Sequence, residues 1–563
     1  MASPYQVTGK NKAALFTLKI HRGEGMALLA MNWKQGRPTD DFVGFAIEYR
    51  EPGKDRWLVA RNRLSFTDRP NPQGLLSFPT TVAPIQKFRW IIFPFNADLP
   101  GDFTFRVTPV FMEADGRLTN GEPQVAGIEL ASETYPGQLN VTFTRGYVAS
   151  QAFVDTYEAA GPISTLLPKG SKEGLTFKPT HPLADKAYAW MGFEARREVL
   201  KLLDQAIADK TADVWVVAYD LSQSDVVDRL EQIGAKLSIV IDDSGEHAAH
   251  DSGETQAEVR LEAAGATVVR HHMKNLQHNK TIVVEGGVNR AVCGSTNFTW
   301  RGLFVQSNNA ILITGRDAIA LFKAAAENYF DNAATFGATA SAVWHKVDIP
   351  GIDVSVTFSP HDAGNAALAD IAADVRKAKS SLLYSLAFLH QTRGDIRDAV
   401  SDVTNSHVFT YGISDKKTAI ELESPDGNVV PVFFSRLSKN VPPPFKHEPS
   451  SGMGTNMHHK FLVVDFDKPT ARVYTGSYNF SRPADRQNGE NLLLIRDRRI
   501  ATSYMVEALR IFDHYQFRVA QDDAARAKHK LELKPPPSAP GEAPWWLDDY
   551  TIPNRIRDRE VFA

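Results

Sequence analysis

The sequence predicts a multidomain protein: an N-terminal all-β sandwich, then two α/β lobes built from one repeated unit, each lobe a sheet flanked by helices. Three observations predict this. The first stretch, residues 1–145, breaks into short alternating segments rich in aromatic and β-branched residues. The text that follows alternates apolar strands with segments of helical spacing. A long segment also recurs, HNKTIVVEGGVNRAVCGSTNFT from His278 and HHKFLVVDFDKPTARVYTGSYNFS from His458, 180 residues apart.

In chain order, the expected strands of the first region are Ala13–Ile20, Gly44–Tyr49, Phe88–Phe93 and Asp102–Phe111, separated by turn-forming runs such as RPNPQG and ADLPGD. Residues 146–183 read as a linker. Lobe one (184–348) opens with a helix at Lys186–Ala208, followed by strands VWVVAYDL, LSIVIDD and ATVVRH with helices between them. Lobe two (349–520) restarts the pattern with SVTF, a helix at Asn365–Lys379 and the strand SLLYSLAFL. A Pro/Gly-rich loop over 437–456 precedes its repeat segment. A helix is expected from about Thr502 to Leu531. The tail (521–563) carries KPPPSAPG and WWLDDY, whose Trp545 and Trp546 are expected to pack back onto the body.

Bulk properties narrow the classes. The 563 residues carry a net charge of −3, which argues against a surface coated in basic charge for general nucleic-acid binding. No run of about 18 apolar residues is present, so at most peripheral membrane contact is expected. The N-terminus has no apolar signal-type core, and the single Cys293 allows no intrachain disulfide; a cytoplasmic location is the expectation. The sequence does not set the oligomeric state.

The repeat carries the chemistry. Its matched positions are His278/His458, Lys280/Lys460, Glu285/Asp465, Gly294/Gly476, Ser295/Ser477, Asn297/Asn479 and Phe298/Phe480. In an extended chain, residues two apart share a face, so each histidine points the same way as its lysine. These paired segments resemble the phospholipase D superfamily, whose signature is an HxK…D motif followed by Gly-Ser-x-Asn. The resemblance covers about residues 185–520 and leaves out the β region and the tail.

The resemblance implies a phosphodiesterase that works without metal or cofactor, its two lobes meeting about a pseudo-twofold axis. Residue types agree. A phosphodiester anion must be neutralised before attack, and Lys280 and Lys460 supply two point charges. Asn297 and Asn479 supply amide donors for the non-bridging oxygens. One histidine attacks phosphorus and forms a phosphohistidine; the other protonates the leaving oxygen and then activates the acceptor. Aligned without gaps, QSNN (Gln306–Asn309) faces NGEN (Asn488–Asn491), so Glu490 matches Asn308. A carboxylate partner favours a protonated histidine. The expectation is therefore that Glu490 orients His458 as the general acid, and that Asn308 or Gln306 orients His278 as the neutral nucleophile. Glu285 and Asp465 are expected to be structural.

Other candidates are weighed against plainer readings. Asp242, Asp243, His247 and His250 could hold a metal but read better as a polar loop, and no metal site is expected. His271, His272 and His459 read as structural. Tyr219 and Phe388 could line the pocket, and Lys439, Lys446 and His447 could meet an anionic substrate. The expected partner is a phosphodiester, with phospholipid favoured over nucleic acid. A nuclease on the same fold is the alternative. A catalytically inactive binding protein is the third reading, against which the intact His, Lys and Asn of both lobes argue.

Overall fold

The computed structural model describes residues 3–67, 77–146, 153, 156–387, 389, 394–416, 419–424, 429–433 and 457–563. These form two compact units, residues 1–132 with 502–563, and residues 133–501.

In the first unit, strands Gln6–Thr8, Phe16–Gly23, Met26–Trp33 and Arg89–Ile92 lie side by side in that order, all antiparallel. A second antiparallel sheet holds Leu118–Asn120, Asp102–Met112, Phe42–Arg50 and Leu58–Val59, with Gln124–Glu129 also on Asp102–Met112. Alternate residues of both sheets fill one core, among them Phe16, Leu18, Leu29, Phe45, Phe103 and Phe105. The four strands read from the sequence are present within three residues at their starts. Met26–Trp33, MALLAMNW, is a further strand although its composition is helix-forming; pairing along all of Phe16–Gly23 overrides that preference. Residues 521–563 belong to this unit, and Trp545 and Trp546 pack back onto it as expected. Trp546 is buried in its core, and Trp545 Nε1 donates to Phe42 O at 3.0 Å. The helix expected near 502–531 runs Arg498–Arg526.

The second unit carries two mixed sheets. In lobe one, β1 (Leu139–Phe143), β2 (Asp213–Ala218), β3 (Leu237–Ile241), β4 (Thr267–Arg270), β5 (Thr281–Glu285), β6 (Arg290–Gly294) and β7 (Asn309–Thr314) are ordered β1-β7-β6-β5-β2-β3-β4. In lobe two, β8 (His345–Val347), β9 (Asp353–Ser359), β10 (Ser381–Leu386), β11 (Phe409–Lys416), β12 (Ala419–Glu423), β13 (Val429–Phe433), β14 (Lys460–Val464), β15 (Arg472–Gly476) and β16 (Glu490–Arg496) are ordered β8-β9-β16-β15-β14-β10-β11-β12-β13. The run β1-β7-β6-β5-β2-β3 therefore has its counterpart in β9-β16-β15-β14-β10-β11. This equivalence places Leu139–Phe143 at the start of lobe one, where the sequence reading had it in the N-terminal β region. LNVTF reads as a strand in either place; only its partner, Asn309–Thr314, reveals which sheet accepts it.

Candidate active site

Each His-x-Lys motif leads into an apolar strand held on two sides. β5 lies between β2 and β6, and β14 between β10 and β15. Such strands cannot slide without turning their side chains to the other face, which fixes the residues that lead into them. His278, Lys280, His458 and Lys460 are all buried, and the two imidazole rings stand 6.2 Å apart, centroid to centroid. Each lysine folds back on its own histidine: Lys460 Nζ donates to His458 O at 2.7 Å, and Lys280 Nζ to His278 O. The residues between them face away. His459 packs its ring on Phe143 and Phe461, and Asn279 Oδ1 accepts from Asn491 Nδ2 at 2.5 Å.

The orienting partners are exchanged between the lobes, which corrects the pairing expected from the sequence. His278 Nδ1 meets Glu490 Oε2 at 2.8 Å, and His458 Nδ1 meets Asn308 Oδ1 at 2.8 Å. Asn308 does not orient His278, and neither does Gln306, whose backbone carbonyl accepts from Thr144 Oγ1 at 2.7 Å. An ungapped alignment shows that Glu490 and Asn308 occupy equivalent places. It does not show which lobe's histidine that place faces, and here each faces the other lobe's.

The Gly-Ser-x-Asn turns build this exchange. Ser295 Oγ donates to Asn308 Oδ1 at 2.9 Å, and Ser477 Oγ to Glu490 Oε2 at 2.7 Å. Each serine N–H is in turn held by the next residue along, Asn309 Oδ1 at 3.1 Å and Asn491 Oδ1 at 3.2 Å. Gly294 and Gly476 have φ of +138° and +144°, and a Cβ on either would run into the carbonyl of Asn309 or Asn491. Asn308 Nδ2 donates to Gly302 O at 2.8 Å, so its oxygen faces His458 and the histidine Nδ1 is the donor; Ser295 O accepts there too, at 3.1 Å. With Nδ1 of both rings engaged, Nε2 of each is left without a partner among the described residues. Asn297 Nδ2 donates to Asp220 Oδ2 at 2.5 Å, and the Oδ1 atoms of Asn297 and Asn479 are buried without hydrogen bonds.

Burial and two close ammonium groups set the electrostatics. His278 is held well below the ordinary imidazole value by burial, then by Lys280 and Lys460. His458 is depressed in the same way, by burial and the same two lysines. Burial pushes Glu490 up to about 8 against the pull of Lys280 and Ser477. Burial brings Lys280 down to about 8, opposed by Glu490, Asp220 and Asp242. Glu490 and His278 act as one unit that holds an additional proton up to mildly alkaline pH.

The remaining candidates separate clearly. Glu285 is tied to Lys323 at 2.5 Å, and Asp465 accepts the N–H groups of Lys379 and Ser380 at 2.8 Å each. His271 Nε2 contacts Tyr329 O, and His272 pairs with Asp243 at 2.7 Å. Asp220, His247 and Glu254 place one donor atom each within 4.8 Å of one another, a geometry a cation could use. His247 already supplies positive charge there: burial opposes its protonation, but Asp220 at 2.7 Å and Asp242 at 2.8 Å raise it to about 10. Tyr219 lies 4.7 Å from both the His247 and His278 rings. By strand register its counterpart is Ala387; Phe388, like Lys439, Lys446 and His447, lies outside the described residues. Asp220, Asn309 and Asn491 were missed by the sequence reading. The asparagine that closes both aligned segments, QSNN and NGEN, was the signal for the latter two; Asp220 left none beyond its place after a strand. Among the described residues no helix is long and apolar enough to cross a membrane.

Comparison with known proteins agrees with the repeat. The family described as "Cardiolipin synthase, PLD-like domain" matches residues 200–332 and 371–512. A phospholipase D of Rickettsia prowazekii (strain Madrid E) is 46% identical over 48 residues, 8% of this chain and 22% of that protein. The mitochondrial cardiolipin hydrolase of Xenopus tropicalis is 41% identical over 70 residues, 12% of this chain and 30% of that protein. The chain thus spans less than a third of the length of these relatives. Among solved structures, phosphatidylserine synthase of Haemophilus influenzae Rd KW20 superposes with a TM-score of 0.41 at 14% identity, covering 60% of this chain and 92% of that one. Nuc of Salmonella typhimurium gives a TM-score of 0.21 at 23% identity, covering 24% and 87%.

Proposed function

The chain belongs to the phospholipase D superfamily, and from that premise we propose that it cleaves or transfers a phosphodiester through a phosphohistidine on His278, with phospholipid as the favoured substrate. The observation that carries this reading is the crossed pair of contacts, His278 to Glu490 and His458 to Asn308.

Nε2 of His278 attacks phosphorus while Lys280, Lys460, Asn297 and Asn479 carry the phosphoryl oxygens. The phosphorylated ring becomes a cation with its proton on Nδ1, and the Glu490 carboxylate accepts that proton's hydrogen bond as the charge appears. His458 donates Nδ1–H to two neutral oxygens, which stabilise its cation less than a carboxylate would. Its Nε2–H is therefore the better acid and passes to the leaving oxygen. His458 then takes a proton from water or an alcohol, the new oxygen attacks phosphorus, and the P–N electron pair returns to His278. The roles match those expected from the sequence, but the reason reverses. A carboxylate serves the nucleophile by stabilising its covalent cation, and an amide serves the acid by leaving it acidic. Two lysines and two amides at the phosphate support a reaction without metal.

The description of the matched family and the names of the two curated relatives support phospholipid. The test is turnover in EDTA of cardiolipin and phosphatidylcholine vesicles, of single- and double-stranded DNA, and of bis-p-nitrophenyl phosphate. Lipid turnover abolished by His278→Ala is expected. Turnover of DNA alone would transfer the reading to a nuclease, and no turnover of any diester would defeat the enzyme reading.

A further inference from the structure

Lobe one carries a hydrogen-bonded chain that the chemistry above does not use. Asp242 is buried in it, accepting His247 Nδ1 at 2.8 Å and, on its other oxygen, the N–H of Gln277 at 2.6 Å, the residue directly before His278. His247 Nε2 lies 2.7 Å from Asp220 Oδ1, and Asp220 Oδ2 accepts from Asn297 Nδ2 at 2.5 Å. One imidazole thus links the backbone entering His278 to the amide of Asn297. In the sequence, the residue after Tyr219 is the acid Asp220, whereas the residue after its counterpart Ala387 is a phenylalanine.

We propose that Asp220, braced by His247 and Asp242, is a positioning residue that fixes which face of the Asn297 amide meets the substrate phosphate. This rests on the proposed phosphodiesterase reading. The two ends of a carboxamide are nearly the same shape but opposite in charge. A carboxylate at 2.5 Å accepts from Nδ2 and rejects Oδ1, so one Asn297 N–H is spent on Asp220 and the other stays available for an anionic oxygen. Without the carboxylate the amide is free to turn and present its oxygen to the phosphate, which repels it. His247 keeps Asp220 in place, held between two carboxylates on opposite ring nitrogens. Asp220 acts through Asn297, so its removal costs no more than removal of Asn297 itself.

A double-mutant cycle tests this, with Asp220→Asn, Asn297→Ala and the double variant compared in the full chain. Asp220→Asn keeps the shape and can still hydrogen bond, so a purely structural role would survive it; the bias toward Nδ2 would not. With bis-p-nitrophenyl phosphate, Asp220→Asn is expected to lower kcat about 10–100-fold with little change in KM, and Asn297→Ala about 10²–10³-fold. The double variant is expected to equal Asn297→Ala. Orthovanadate binding, measured by calorimetry, is expected to follow the same cycle, and it reads the site even if no diester is turned over. His247→Gln, which keeps Asp220, should show a smaller loss in the same sense and serves if Asp220→Asn fails to fold. Wild-type kcat in Asp220→Asn, losses that multiply in the double variant, or no vanadate binding by the wild type would each overturn the proposal. Absent diester turnover alongside a coupled vanadate cycle would defeat the phosphodiesterase reading and leave the positioning role standing.

Discussion

The two lobes share a six-strand order, a buried His-x-Lys and a Gly-Ser-x-Asn turn, yet they finish the site differently. Lobe two lends a carboxylate to the histidine of lobe one; lobe one lends an amide to the histidine of lobe two. Identical scaffolding delivers two unlike electrostatic environments because one residue differs at the position where each lobe reaches across. Duplicated architecture thus supplies the symmetric part of the site, two histidines and two lysines. A single Glu/Asn difference supplies the asymmetry that, in the proposed reaction, separates nucleophile from acid.

The sharpest way to break that comparison is to remove each histidine in turn. His278→Ala should lower kcat about 10⁴–10⁶-fold on every diester. His458→Ala should lose about as much on a lipid, whose alkoxide needs a proton. On bis-p-nitrophenyl phosphate it should still release about one equivalent of nitrophenol per chain and then stall, because that leaving group needs no acid. A stopped-flow burst in His278→Ala and none in His458→Ala would exchange the roles.

Next in size is the partner itself. Glu490→Gln keeps the hydrogen bond and removes the charge, and should lower kcat about 10²–10⁴-fold. It should also alter the pH profile. The nucleophile needs Nδ1–H on a carboxylate and a free Nε2, so the Glu490–His278 unit must give up its additional proton. On bis-p-nitrophenyl phosphate, whose leaving group needs no acid, activity should therefore rise with pH toward about 8, where Glu490 titrates, and fall above about 8 as Lys280 loses its charge; on a lipid the depressed His458 must also hold its proton, so the falling limb should begin at lower pH. Glu490→Gln should lose the rising limb and keep the falling one. The reciprocal change, Asn308→Asp, should hold the His458 proton more tightly and cost about tenfold on lipids while sparing the nitrophenol burst.

How far the sequence reaches follows from the same residues. His278, Lys280, Asn297 and their partners were legible because a repeat of seven ordered matches leaves a pattern in one dimension. The Glu490/Asn308 difference was legible too, but not its direction: which histidine a side chain faces depends on how two lobes meet, and no local pattern encodes that. Leu139–Phe143 was misplaced for a similar reason, since a strand's partner is a long-range choice. Asp220 was invisible because an aspartate after a strand is an ordinary turn residue until Asn297 and His247 are seen on its two oxygens.

The smallest effects test whether the acidic positions of the repeat, Asp465 and Glu285, are structural to the same degree. Asp465 is buried and held by backbone N–H groups; these donors outweigh burial and keep its carboxyl below the ordinary range. A depressed folded-state value means the carboxylate stabilises the protein above its unfolded pKa, and that this contribution is lost as pH falls through the folded one. Asp465→Asn should cost about 1–3 kcal/mol at neutral pH and flatten the acid side of the stability profile. Glu285 relies instead on Lys323, with the two side chains 26% and 21% exposed. Solvent screens such a pair, so Glu285→Gln should cost less than about 1 kcal/mol and leave kcat unchanged. Denaturant titrations of both variants at pH 4 and pH 7 measure the difference. A loss of activity in Glu285→Gln, or equal destabilisation by the two, would show that the acid of lobe one does more than close a strand.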